Sequence, residues 1–165
     1  MDTASGLLSN EIFIAYSKCV VILGIQMSFV AWTTVYLILS NNGKGIRNQE
    51  DLIQGPANPN PHPNQLLPFE PTEKQRRIMN HHVENNLPFM FVGLIYSLLQ
   101  AGTTIPLYAY TTLKILHHII YWYGHRHELR ATIWTTLNAY FLWICYLTWN
   151  TINTTTTTTT TTSQE

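Results

Sequence analysis

Residues 72–99, TEKQRRIMNHHVENNLPFMFVGLIYSLL, decide the fold class, because one helical pattern in them runs from charged through mixed to purely apolar. A helix with one polar end and one apolar end is typical of a segment that lies at a membrane surface. Unpaired charge is costly at the bilayer interface. The polar side chains of the first half therefore need a polar partner, and a bound hydrophilic ligand is one candidate.

Three further stretches are also long enough to cross about 30 Å of hydrocarbon at about 1.5 Å per residue. Together they predict membrane-spanning helices at residues 12–39, 77–99, 104–123 and 131–149. A soluble four-helix bundle is the alternative, but such a bundle needs one apolar stripe per helix, and segments 89–94 and 141–147 are apolar on all sides. We therefore predict an all-α, four-helix transmembrane bundle, formed by a single membrane domain over residues 1–150.

The charges of the loops predict the orientation, since Lys and Arg near the ends of spans are retained in the cytosol. Basic residues lie in or beside the first and third loops, whereas the second loop, residues 100–103, has none. Both termini are thus predicted to be lumenal or external. The Pro-rich first loop, 41–71, is predicted to be an extended cytosolic linker. The Thr-rich tail, 151–165, is predicted to be disordered and is a candidate for O-glycosylation.

The cysteines and histidines leave the chemistry open. Cys19 and Cys145 fall inside predicted spans, so we interpret them as small core residues. The seven histidines keep a haem or metal protein as an alternative, but no spacing fixes a pair of ligands, and no metal site is predicted. His118, His125 and His127 are interpreted as interfacial, solvated residues. No nucleic-acid partner is predicted.

Polar residues of the second helix share one face. They lie three, four and seven positions apart and are Arg77, Asn80, His81 and Glu84. His82 and Asn86 are predicted to point elsewhere. Pro88 has no N–H to bond the carbonyl of Glu84, so we expect a kink and a free acceptor there. Thr72 and Gln75, in capping-box spacing, predict where this helix begins.

The third and fourth helices carry similar residues near their cytosolic ends. These residues are Lys114, His117 and Tyr121 on the third helix, and Arg130, Trp134 and Asn138 on the fourth. The three sets lie at one depth, so we predict that they converge on a ligand with anionic groups and an amine. The alternative is that Glu84 only forms an ion pair with Arg77 or Lys114 that fixes helix packing.

Several short motifs carry a resemblance to a known family. They are EKQRR at 73–77, VENNLPF at 83–89, GLIYSL at 93–98, His117, Tyr121 and Arg130, with Glu50-Asp51 in the first loop. In this order they resemble the MAPEG superfamily, membrane-associated proteins in eicosanoid and glutathione metabolism. The branch of microsomal glutathione S-transferase 1 and microsomal prostaglandin E synthase is the most similar, and the resemblance covers about residues 12–147.

The resemblance implies a homotrimer in the membrane of the endoplasmic reticulum or the mitochondrial outer membrane. Glutathione, the co-substrate, is expected between neighbouring subunits near the cytosolic face. Its thiolate attacks a hydrophobic electrophile, or reduces a lipid hydroperoxide, that arrives from the bilayer lipid. By their positions in the family pattern, the expected glutathione-binding residues are Arg77, Glu84, His117, Tyr121, Arg130 and Asn138. The common depth of the polar residues adds His81, Lys114 and Trp134 to this site. Arg130 is the expected catalytic residue, which stabilises the thiolate.

Some positions depart from the family pattern. His81-His82 replaces an Asn-Asp pair, Ser40 replaces a basic residue, and Trp134 replaces a tyrosine. Asn80 and Ala131 also differ from the residues of that branch. These departures argue against prostaglandin isomerisation. The resemblance thus implies a divergent glutathione transferase active in detoxification, and the alternative is a catalytically weakened relative that serves as a lipid-binding scaffold.

Overall fold

The computed structural model of the chain describes residues 6–7, 9–124 and 126–162, with side chains as far as Thr155. Its long α-helices are α1 (Glu11–Ser40), α2 (Glu70–Leu98), α3 (Ile105–Tyr123) and α4 (His127–Thr162). Two short 3-10 helices, Gln49–Asp51 and Pro63–Leu66, lie between α1 and α2. The described residues form no β-strand, only an isolated bridge between Gly55 and Asn58. The predicted all-α class is confirmed.

Local sequence explains where the helices begin and end. Asn10 precedes α1, and its side-chain Oδ1 accepts hydrogen bonds from the N–H groups of Ile12 and Phe13 at 3.0 and 3.1 Å. In α3, Pro106 occupies the first turn, where its missing N–H costs nothing. Gly124 ends α3 in the left-handed conformation, at φ 70°, which glycine adopts without strain.

The beginning of α2 differs from the prediction. The helix begins at Glu70, and Thr72 is already inside its first turn. The Thr72 hydroxyl donates to the carbonyl of Phe69 at 2.8 Å, so it does not accept from the backbone as a capping residue does. The predicted capping box is therefore wrong. Glu70 and Pro71 explain the earlier start, because an acidic residue and a proline are both favoured in a first turn.

The chain divides into two compact units. The first comprises Met1–Gly24 and Asn85–Glu165, and the second comprises Ile25–Glu84. All four long helices contribute to the hydrophobic core of the first unit, which is formed by Ala15, Cys19, Leu23, Phe89, Tyr96, Ala101, Leu107, Tyr110, Leu137 and Ile144. Cys19 is fully buried there, as its interpretation as a core residue requires, and Cys145 is half-buried.

Hydrogen bonds tie the helices of the first unit together. The Tyr16 hydroxyl donates to the carbonyl of Met90 at 2.8 Å, and the Asn10 amide donates to the carbonyl of Ser97 at 2.8 Å. The Tyr110 hydroxyl donates to the carbonyl of Asn85 at 2.7 Å, three residues before Pro88. A proline inside a helix weakens the backbone bonds of the preceding turn. The Tyr110 hydroxyl therefore joins α3 to α2 one residue after Glu84, whose carbonyl loses its backbone donor at Pro88.

The second unit has a folded first loop, which corrects the predicted extended linker. The side chain of Gln65 donates to the carbonyl of Asn42 at 2.7 Å and exchanges two hydrogen bonds with the amide of Asn58. Its Oε1 also accepts from the N–H of His62 at 3.2 Å. Because these bonds join residues up to 23 positions apart, the first loop folds around a buried glutamine.

The last helix is longer than predicted. α4 continues past residue 149 to Thr162, so the Thr-rich segment is helical as far as the structure describes it. The hydroxyls of Thr154 and Thr155 donate to the carbonyls of Asn150 and Thr151, four residues earlier. Such bonds give the threonine hydroxyls a partner inside the helix. The predicted disorder from residue 151 is thus not observed up to Thr162.

Among the described residues, α1 alone is long and apolar enough to cross a membrane on length and composition. Of its most apolar window, 11% is buried within the chain, and large side chains such as Trp32, 72% exposed, face outward. The spans predicted for 77–99, 104–123 and 131–149 stay predictions. The mean hydropathy of α2 is lowered by the charged residues in its first turns. That of α3 and α4 is lowered by their many Thr, His, Tyr and Trp residues.

We expect Tyr110→Phe to lower the free energy of unfolding by about 1 kcal/mol, because it removes one net hydrogen bond next to Pro88. The ring stacking on Phe89, at a centroid distance of 4.0 Å, is retained. The measurement is denaturant unfolding of the purified protein in detergent. Tyr108→Phe, at an exposed position of the same helix, is the control. Equal stability of Tyr110→Phe and the control would contradict this role.

Candidate functional site

The end of α3 and the beginning of α4 form a compact cluster in the first unit. The His117 ring, 5% exposed, contacts the Tyr121 ring edge-on at a centroid distance of 6.1 Å. The Arg130 guanidinium lies over the Tyr121 ring, with Cζ 4.6 Å from the ring centre. Such cation–π contacts hold a guanidinium in place without neutralising its charge. Three of the predicted site residues are therefore brought together.

The turn at Gly124 creates this arrangement. α3 ends at Tyr123, and Gly124, the next residue, has the left-handed conformation that turns the chain. α4 then begins at His127. Arg130, in the first turn of α4, is thereby placed beside the last turn of α3. Its Nη2 also lies 3.3 Å from Nδ1 of His127. A guanidinium has five N–H donors, so this contact and the ring leave it able to bind an anion.

The other predicted residues of α3 and α4 have different surroundings. Lys114 lies one turn before His117 and is fully buried. Trp134 is 43% exposed. The Asn138 amide donates to the Trp134 carbonyl at 2.8 Å, within its own helix. Of these three residues, only Lys114 is a buried cation that is close in sequence to the cluster.

The predicted residues on α2 belong to the second unit. Arg77, whose side chain is 50% exposed, forms an ion pair with Glu70. The Glu84 side chain is 68% exposed, and its Oε2 lies 3.7 Å from Nδ1 of His81. The alternative pairing of Glu84 with Arg77 or Lys114 stays a prediction. Since Arg77 and Glu84 are exposed while His82 and Asn86 are buried, the helix divides into the two faces that the spacing predicts.

A charged network in the second unit was not predicted. Glu73 forms ion pairs with Arg47 and Arg76, and Arg76 also donates to the carbonyl of Gly45 at 2.7 Å. The hydrogen bond from Arg47, together with that from Arg76, holds the pKa of Glu73 below its ordinary value despite partial burial. The spacing of Glu73 and Arg76 indicates their pairing, but no local signal identifies Arg47.

The tight turn at Gly45 positions this network. Gly45 has φ +84°, and a Cβ there would lie 2.3 Å from Oγ1 of Thr72. Only glycine therefore allows the first loop to pass this close to α2. Arg47 follows two residues later and is carried to Glu73 by this approach.

The described residues contain no group of three or more His, Cys, Asp or Glu side chains arranged to hold a metal ion. His118 is buried and stacks on Trp122 at a centroid distance of 5.7 Å, which corrects its interpretation as a solvated residue. His127 is exposed, as predicted. His125 lies outside the described residues.

Comparison with known proteins gives one match. The family model described as the MAPEG family matches residues 16–150. This range includes the His117–Tyr121–Arg130 cluster and the Glu73 network. No curated protein and no solved structure matches the chain.

We expect Glu73→Gln to lower the free energy of unfolding at neutral pH, because both arginines lose their carboxylate partner. The folded pKa of Glu73 lies below the ordinary value of about 4.3, so its stabilising contribution is complete above that pH. The contribution is lost as the pH falls through the lower folded value. The difference between wild type and variant therefore narrows below about pH 4.3. Denaturant unfolding of both proteins in detergent, from neutral pH to below about pH 4.3, measures this difference in the free energy of unfolding.

Glu50→Gln, at an exposed position of the first loop, is the control and removes the same charge. A difference between wild type and Glu73→Gln that does not change with pH contradicts the assignment.

Proposed function

Because this chain belongs to the MAPEG family of glutathione- and eicosanoid-related membrane proteins, we propose that it is a membrane glutathione transferase. Its substrates are glutathione and a hydrophobic electrophile that reaches the protein through the lipid. Reduction of lipid hydroperoxides is a second reaction of the same thiolate. The assembly is a homotrimer in the endoplasmic reticulum or the mitochondrial outer membrane.

The cluster of His117, Tyr121 and Arg130 is the single observation that best supports this proposal. A free thiol has a pKa of about 8.5 and is mostly protonated at neutral pH. A fixed guanidinium next to the sulfur favours the thiolate, which is the nucleophile. Tyr121 keeps the Arg130 guanidinium in position through the ring contact of 4.6 Å, so the cation is preorganised before glutathione binds.

The reaction needs no cofactor besides glutathione. Binding beside Arg130 releases the thiol proton to solvent, and the thiolate then attacks an electrophilic carbon. A carbon–sulfur bond forms while the leaving group departs with its electron pair. Arg130 is the catalytic residue in this step because it lies next to the reacting sulfur. An apolar approach from the lipid supplies hydrophobic electrophiles at high local concentration.

The remaining predicted residues bind the rest of the tripeptide in this proposal. Arg77 pairs with a carboxylate and Glu84 with the amine, while the buried Lys114 adds positive charge close to the His117–Tyr121–Arg130 cluster. Trp134 supplies an aromatic wall, while His81 and Asn138 provide hydrogen-bonding groups. The exposure of Arg77 and Glu84 in one chain supports a site that is completed by the neighbouring subunit.

A lipid-binding scaffold without catalysis is the second candidate. It is favoured by the exposed, apolar surface of α1 and by Asn80, His81 and Trp134, which replace residues of the family pattern. A scaffold binds a fluorescent fatty acid but does not conjugate glutathione. The two candidates are separated by turnover of the purified protein with a chloronitrobenzene-type electrophile.

We expect Arg130→Ala to lower kcat/KM for this conjugation by about 10- to 100-fold, the effect of losing one charge-assisted hydrogen bond to the reacting sulfur. Its pH–rate profile shifts to higher pH, because the thiol keeps more of its ordinary pKa. Arg130→Lys retains the charge and is intermediate. Initial rates from pH 6 to 9 measure both effects.

Arg126→Ala is the matched control, since it removes an exposed arginine four residues away. Unchanged rates in Arg130→Ala exclude the proposed mechanism. Loss of rate without any shift of the pH profile assigns Arg130 to structure alone. No conjugation by the wild-type protein, with retained fatty-acid binding, favours the scaffold.

A further inference from the structure

A cavity of about 320 Å³ lies in the second unit, where the end of α1, the first loop and the first turns of α2 meet. Its charged lining residues are Arg47, Arg76 and Asp51. Ile38 and Leu39 of α1 provide apolar walls. The cavity therefore combines cations, an anion and a hydrocarbon-like surface in one place.

The two arginines are held on the same side by one carboxylate. Glu73 pairs with both, and the side chains of Arg47 and Arg76 are 62% and 20% exposed. Arg47 contacts Glu73 through Nη2, and a guanidinium offers five N–H donors. Arg76 also donates to the Gly45 carbonyl at 2.7 Å. Because each guanidinium has five N–H donors, both keep N–H groups that can donate charge-assisted hydrogen bonds to phosphate oxygens.

Asp51 restricts the kind of ligand. It ends the 3-10 helix Gln49–Asp51 and lines the same cavity as the arginines. A ligand with negative groups alone is repelled by this carboxylate, whereas one that also carries an ammonium group pairs with it. A primary ammonium donates hydrogen bonds to a carboxylate, and a trimethylated one does not.

The position of the apolar walls in the chain favours a cavity at the boundary of a membrane. Ile38 and Leu39 lie in the last turn of α1, the helix that is long and apolar enough to cross a membrane. A ligand in this cavity contacts both apolar side chains and charged side chains. Phospholipids with a primary amine in a zwitterionic headgroup have this distribution of groups.

We propose that this cavity binds the phosphoethanolamine headgroup of a membrane phospholipid. Arg47 and Arg76 bind the phosphate, Asp51 binds the ammonium group, and the acyl chains follow α1 from Ile38 and Leu39. This site is separate from the proposed glutathione chemistry and does not depend on it. Binding of this phospholipid fixes the depth of the first loop relative to the headgroups of the bilayer.

The test is native mass spectrometry of the delipidated full chain after incubation with equal amounts of phosphatidylethanolamine, phosphatidylcholine and phosphatidylglycerol. We expect the wild-type protein to retain phosphatidylethanolamine preferentially. Arg47→Ala reduces this retention by about tenfold, as loss of a charge-assisted hydrogen bond predicts. Asp51→Asn, which leaves the Glu73 ion pairs intact, shifts the preference towards phosphatidylglycerol. Free phosphoethanolamine is added in a separate arm.

Lys44→Ala is the matched control, because it removes an exposed cation three residues from Arg47 that does not line the cavity. Equal losses in Lys44→Ala and Arg47→Ala overturn the proposal, since general surface charge then explains the binding. A wild-type preference for phosphatidylglycerol, or an unchanged preference in Asp51→Asn, also overturns it. Binding of free phosphoethanolamine without retention of the phospholipid assigns the cavity to a soluble ligand and overturns the lipid assignment.

Discussion

Polar groups buried among apolar helices need partners inside the protein, and the rest of the first unit depends on this constraint. An amide, hydroxyl or carbonyl that loses water without gaining a hydrogen bond destabilises the fold. Tyr16 and Tyr110 meet the constraint by donating to carbonyls of α2. Asn10 meets it twice, since it caps α1 and donates to the Ser97 carbonyl. The helices are thus joined by directional bonds as well as by apolar contact.

The same constraint makes the end of α3 unusual. Lys114 and His117 are 0% and 5% exposed, and burial of such groups is costly. Their neighbour Tyr121 holds Arg130 from the next helix, with Gly124 making the turn between them. A short reversal of the chain therefore concentrates basic and aromatic groups where α3 ends and α4 begins. This concentration is the physical basis for proposing an anionic, sulfur-containing ligand there.

The length and apolar character of four segments predicted the long helices, although α2 begins earlier and α4 ends later than predicted. The predicted segment 12–39 differs from α1 by one residue at each end, and the predicted segment 104–123 begins one residue before α3 and ends at the same residue. The division of α2 into an exposed and a buried face also follows from its spacing, because helical geometry is local. The loop could not be predicted in this way. Gln65 bonds to Asn42 and Asn58, and Arg47 reaches Glu73, only because the chain folds back on itself.

Isothermal titration of the purified protein with glutathione at pH 7, in two buffers of different ionisation enthalpy, tests the central claim most directly. Our account predicts saturable binding with release of close to one proton per bound tripeptide, because a thiol with a pKa of about 8.5 becomes a thiolate beside Arg130. Saturable binding without proton release would contradict the proposed role of Arg130. Absence of any saturable heat would contradict the glutathione site itself.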